Sequence, residues 1–186
     1  MKVTVLFSML LLMPAMKAQV DADPIHKNNE LKFNLLSLIE GTAEVTYERF
    51  QGERIGLGLS SYVVFRSGGM IFFGERYPWN FSILPFARVY FGKPRAKGFF
   101  LEGNLMIGAD LQALPDTGYR EQTDWGFGFG MAYGGKWALG NNWMAEVYVG
   151  AGYTNLWDTP EDGGLFGNLF DFWFYPRWGI TLAKRF

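Results

Sequence analysis

The chain has 186 residues, 18% of them aromatic, with 24 glycines, no cysteine and a formal net charge of −1. That length suits one domain with a sizeable core. The charge gives no support to a nucleic-acid-binding face, and the missing cysteines exclude a disulfide framework, a thiol nucleophile and a lipidated N-terminal cysteine. Mean hydropathy is zero, so apolar residues must be interleaved with polar ones rather than grouped.

The first residues read as a targeting signal. Lys2 supplies a short positive region, Val3 to Met13 an apolar run, and Pro14 ends it. Ala15-Met16-Lys17-Ala18 then offers a small-residue site for cleavage after Ala18. The run is shorter than the ~20 residues that span a bilayer as a helix, and no later stretch approaches that length. The expected division is a signal peptide over 1–18, a polar periplasmic leader over 19–29 and one domain over 30–186.

From there the period is two almost throughout. "LKFNLLSLI" sets Leu31, Phe33, Leu35 and Ile39 against Lys32 and Asn34, a strand expected to run from Leu31 to Ile39. "TAEVTYERF" opposes Ala43, Val45 and Tyr47 to Glu44, Thr46 and Glu48. "RIGLGLSSYVVF" opposes Ile55, Leu57, Leu59 and Val63 to Gly56, Gly58, Ser60 and Tyr62. "FSILPFARVYF" opposes Phe81, Ile83, Ala87 and Val89 to Ser82, Arg88 and Tyr90. "FFLEGNLMIGA" opposes Leu101, Leu105 and Ile107 to Glu102, Asn104 and Gly108. "WGFGFGMAYGG" opposes five large residues from Trp125 to Tyr133 to Gly126, Gly128, Gly130, Ala132 and Gly134. "NWMAEVYVGAGY" opposes Val147 and Val149 to Glu146, Tyr148, Gly150 and Gly152. The eighth candidate strand, "YPRWGITLAKRF", opposes Trp178, Ile180, Leu182 and Phe186 to Arg177, Gly179, Thr181, Ala183 and Arg185.

The connections alternate as well. "QGE", "GKPRAKG" and "ALGNN" are short, whereas "RSGGMIFFGERYPWN", "DLQALPDTGYREQTD" and "WDTPEDGGLFGNLFD" are long. Only the first hairpin, around "IEGT", is short where a long one is expected. Short turns at one end and long loops at the other mark an up-and-down membrane barrel. A soluble calyx would need lysines and glutamates on its water-facing side. Here the non-apolar face is mostly glycine with isolated charges, which suits the crowded interior of eight strands. The reading is an all-β, eight-stranded, antiparallel up-and-down transmembrane β-barrel. In hydrocarbon every backbone group must be paired, so the last strand has to seam against the first.

"LKFNLLSLIEGTAEVTYERF", "YFGKPRAKGFFLEGN", "GGKWALGNNW" and "YPRWGITLAKRF" resemble an uncharacterised family of small Bacteroidetes-type outer-membrane barrels, a domain of unknown function, with a barrel like that of outer-membrane proteins A and X. The resemblance implies an outer-membrane location and no activity. A terminal strand ending in Phe also resembles the assembly signal of outer-membrane barrels, carried here by Trp178, Ile180, Leu182 and Phe186. It implies the barrel-assembly machinery as a partner.

Candidate chemistry is sparse. Lipid A deacylases and palmitoyltransferases on small barrels use a histidine, which suits proton transfer near neutral pH. The single histidine, His26, precedes the first strand. The inward charges, Lys32, Glu44, Glu48, Arg88, Glu102, Glu146, Arg177 and Arg185, could provide paired carboxylates, but a lumen filled by ion pairs is the simpler reading. No phosphate-cradling loop, metal cluster or cofactor motif is present. In the last long loop, Phe166, Leu169 and Phe170 form a candidate binding surface. Alternatively the eighth strand runs long, since Phe170, Phe172 and Phe174 keep the parity of Trp178. The expected function is a non-enzymatic, monomeric outer-membrane protein in contact with lipid and lipopolysaccharide, with its outer loops as an interaction surface. The alternative is a lipid-modifying enzyme that uses carboxylates.

Overall fold

A computed structural model describes residues 27–65, 79–92, 96–111, 123–157 and 172–186. It is a closed antiparallel barrel in which each strand pairs with its sequence neighbours and the last returns to the first. The strands are β1 (Asn29–Asn34), β2 (Thr42–Gln51), β3 (Ile55–Val64), β4 (Phe81–Tyr90), β5 (Gly98–Leu111), β6 (Thr123–Gly140), β7 (Trp143–Trp157) and β8 (Phe172–Arg185), with a short helix α1 (Leu35–Ile39) after β1. The signal, the leader up to His26, and Phe166, Leu169 and Phe170 of the last long loop lie outside the described residues, whereas Asn29, expected to end the leader, opens β1.

Period-two patterning decides which way each side chain points. Along β2, Glu44, Thr46, Glu48 and Phe50 are buried, while Tyr47 and Arg49 are exposed. Polar and charged groups are therefore inside, and the large apolar groups face outward. The glycines on the inner face make room for aromatic rings. A Cβ on Gly130 would stand 2.6 Å from the Tyr175 hydroxyl, and one on Gly108 would stand 2.6 Å from the Trp79 ring. "GFGFG" is thus a wall thinned on one side so that bulky side chains can fill a narrow barrel.

The first expected strand needs correction. It ends at Asn34 rather than Ile39, and the chain turns into α1. The Asn34 side chain caps this helix, accepting from the N–H groups of Leu36 (3.1 Å) and Ser37 (3.4 Å). Leu35, Leu38 and Ile39 remain exposed, so the helix continues the apolar exterior where β1 stops. The seam between β1 and β8 consequently holds five register pairs, from Glu30↔Arg185 to Asn34↔Thr181. Asn29 and Phe186 close its end by exchanging backbone hydrogen bonds of 3.1 and 2.9 Å. By the alternation that this exchange sets, the backbone nitrogen of Pro176 faces the β1 side of β8, beyond the last β1 pair at Asn34↔Thr181, where no described strand needs its N–H and proline is tolerated.

Candidate functional site: the charged interior

Ten charged side chains are buried in the lumen among the described residues. Five are carboxylates (Glu30, Glu44, Glu48, Glu102, Glu146) and five are cations (Lys32, Arg88, Lys136, Arg177, Arg185), so these ten charges balance. All eight charges singled out from the sequence are brought together there. Glu30 and Lys136 were missed, although both keep the inward parity of their strands.

The ten form one chain of alternating sign along the barrel. At the turn end, Arg185 donates through Nη2 to Glu30 (2.6 Å). Lys136 bridges Glu30 (2.9 Å) and Glu48 (2.8 Å), and Lys32 bridges Glu48 (2.6 Å) and Glu146 (2.8 Å). Arg88 then spans Glu146 through Nη1 (2.8 Å) and Glu102 through Nη2 (2.7 Å). Arg177 completes the run, donating through Nε to Glu102 (2.8 Å) and through Nη1 to Glu44 (2.5 Å). Each ion is thereby matched by at least one opposite charge, which is the condition for keeping a charge out of water.

Neutral groups satisfy the remaining lone pairs. Tyr90 donates to Glu48 (2.7 Å) and Tyr148 to Glu44 (2.9 Å). Asn104 donates to Glu102 (3.0 Å) and accepts from Tyr175 (2.5 Å). Arg177 also donates to Tyr62 and, at 3.2 Å, to the Ser60 hydroxyl, which shares a 2.7 Å hydrogen bond with Thr46. Aromatic faces cover the cations: the Arg88 guanidinium lies 4.3 Å from the Phe100 ring centre, and the Lys136 ammonium 4.8 Å from that of Phe50.

Two apolar clusters flank this polar column. Phe50, Tyr90, Ala96 and Phe100 gather towards the turn end, and Tyr62, Trp79, Leu84, Met106 and Tyr175 towards the loop end. Trp79, which comes from the connection before β4, was not anticipated as an interior group. Its Nε1, the Ser82 hydroxyl and the Thr181 hydroxyl are buried without a hydrogen-bond partner. The arrangement gives no carboxylate an open approach. No group of His, Cys, Asp or Glu among the described residues could hold a metal ion.

The proposed assembly residues sit on or beside the seam. Phe186 and Ile180 are exposed on the outer face, and Trp178 and Leu182 are half-buried there. Lys184, the exception to that apolar face, donates to the Asn141 carbonyl (2.8 Å) and lies 4.8 Å from the Trp143 ring centre.

Fold and interior together define an inside-out barrel, polar and charge-balanced within among the described residues and apolar without. The chain belongs to a family of proteins of unknown function, DUF3575, which matches residues 4–160. That match ends before β8, the strand that supplies Arg177 and Arg185. No curated protein and no solved structure matches the chain.

Proposed function

We propose that this chain is an exported, monomeric, non-enzymatic protein of the outer membrane, spanning it as a barrel, with its long loops as a surface for interaction. The carrying observation is the reversed distribution of polarity. Leu57, Leu59, Leu101, Leu105, Ile107, Phe127 and Phe129 are all 43–58% exposed on the outer face, while ten charges lie inside. Water would penalise such an exterior, because soluble monomers rarely expose contiguous apolar patches beyond a few hundred Å². No described helix is long and apolar enough to cross a membrane. The outward set of β3 and its neighbour Phe65, from Ile55 to Phe65, climbs about 26 Å at ~3.4 Å per residue and a tilt of ~40°. An outer-membrane barrel carries an apolar band about 25 Å tall.

The ion-pair chain supports the non-enzymatic reading over one that uses carboxylates, since each of the five described interior carboxylates is held by a cation. The test is to express the full chain with its N-terminal segment and fractionate the cells. Heat-modifiable protein in the outer membrane, with lipid A and phospholipid masses unchanged by its loss, is the expected result. A soluble, heat-insensitive product would overturn the location, and an altered lipid mass the absence of activity.

A further inference from the structure

Outside the lumen, the charged side chains whose exposure is described divide unevenly between the two ends of the barrel. Lys27, Arg49, Arg54, Lys97 and Lys184 stand at the turn end with one carboxylate, Glu53. Arg49, Arg54 and Lys184 are exposed, and Lys27 and Lys97 are half-buried. They are not scattered. Lys184 lies on β8, Lys27 leads into β1, Arg49 lies two residues before the end of β2, Arg54 occupies the β2–β3 turn and Lys97 the β4–β5 turn. The two turns are tied together, Ala96 N–H donating to the Glu53 carbonyl (2.7 Å) and Tyr90 N–H to that of Arg54 (2.8 Å). The result is a basic arc over about half of the rim.

Two of these cations point sideways. Arg49 occupies an outward position between Tyr47 and its cross-strand neighbour Leu57. Lys184 extends over the outward Trp143. Exposed Tyr47, Phe91, Phe99, Trp143 and Phe186 form an aromatic border at the same height. Cations beside an aromatic border, at the edge of an apolar wall, meet the headgroup layer of a leaflet rather than bulk water.

We propose that this arc binds anionic phospholipid of the leaflet at the turn end, the phosphodiesters being held by Arg49, Arg54 and Lys184. The proposal rests on the membrane-spanning reading above and deepens it. Phosphatidylglycerol is the chosen occupant because it combines a net negative headgroup with acyl chains that lie along the apolar wall. Attraction of this kind weakens as salt rises.

The test uses the purified full chain refolded with equal amounts of phosphatidylglycerol and phosphatidylcholine, bound lipid being counted by native mass spectrometry. Wild type should retain phosphatidylglycerol several-fold over phosphatidylcholine, and less so in high salt. The triple variant Arg49→Gln, Arg54→Gln, Lys184→Gln should refold but lose that preference, whereas Glu40→Gln, at the other end, should keep it. Equal retention of both lipids by the wild type, or an unchanged preference in the triple variant, overturns the arc as a lipid site while leaving the barrel in its membrane. Failure of the wild type to enter bilayers of either lipid overturns the membrane reading itself, and the arc with it.

Discussion

Asn34 meets Ile180 through its side chain as a strand residue would meet its partner through the backbone. The Asn34 amide oxygen accepts the Ile180 N–H at 3.2 Å, and the amide nitrogen donates to the Trp178 carbonyl at 3.1 Å. One carboxamide thus extends the β1–β8 ladder past the point where β1 turns into α1. The same nitrogen approaches Glu44 at 2.5 Å.

This relationship separates two substitutions at Asn34. Asn34→Ala removes the ladder extension and the helix cap, and should cost about 1–3 kcal/mol. Asn34→Asp keeps an acceptor for Ile180 but loses the donor to Trp178, and it sets a second carboxylate against Glu44. Its expected cost is greater, about 3–5 kcal/mol. Urea unfolding in lipid vesicles reads the order directly, and an aspartate variant as stable as wild type would refute it.

Glu102 joins Arg88 to Arg177, so Glu102→Ala takes one carboxylate partner from each buried guanidinium and leaves one positive charge unmatched among the ten. A loss of at least about 3–5 kcal/mol is expected, with the barrel still closed to ions because both apolar clusters persist. Planar-bilayer recordings should show no new conductance. A midpoint within error of wild type would mean that water reaches both arginines.

The orphaned hydroxyls predict the opposite sign. Ser82→Ala and Thr181→Val each delete a buried group without a partner, so stability should hold or rise by up to ~1 kcal/mol. Ser60→Ala, in contrast, breaks contacts with Thr46 and Arg177 and should cost ~1–3 kcal/mol. The three midpoints, compared in one lipid, decide the matter; a large loss at Ser82 would reveal a partner for its hydroxyl.

Glu40 gives a pH dependence. Its carboxyl stands above the usual carboxylate range because burial outweighs the hydrogen bond from the Trp178 indole, and one of its oxygens has no partner. A raised folded value means that its contribution is fully present below the unfolded value and lost as pH rises through the folded one. Glu40→Gln should therefore match wild type in acid and become the more stable of the two towards neutrality. Midpoints measured across that range should diverge with pH, and parallel curves would count against it.

Much of this was legible in the sequence because a half-buried strand has a period of two. Glu44, Glu102, Glu146 and Arg177 each sit between apolar neighbours, which leaves one face for them. The helix was not legible for a physical reason. Leu35 and Ile39 face outward whether the segment is strand or helix, so the apolar spacing cannot distinguish the two. The available signal was Asn34 followed by Ser37 with Leu35 and Leu36 between, a capped turn that breaks the alternation. Lys136 was obscured because Gly135 and the following turn residues end the clean pattern one step too early. Trp79 could not be read at all, since its place depends on the space above Gly108, a contact between segments far apart in sequence.

The alternating chain of charges has a consequence for biogenesis. Among the described residues, β1 to β7 bring five carboxylates to the interior and three cations, and the remaining two, Arg177 and Arg185, arrive together on β8. A barrel lacking its last strand would therefore have to bury two uncompensated negative charges, in addition to an open edge. The strand that closes the wall is thus also the one that balances the charge of the interior. Closure of the sheet and neutralisation of these ten charges fall to one element, the last to be synthesised.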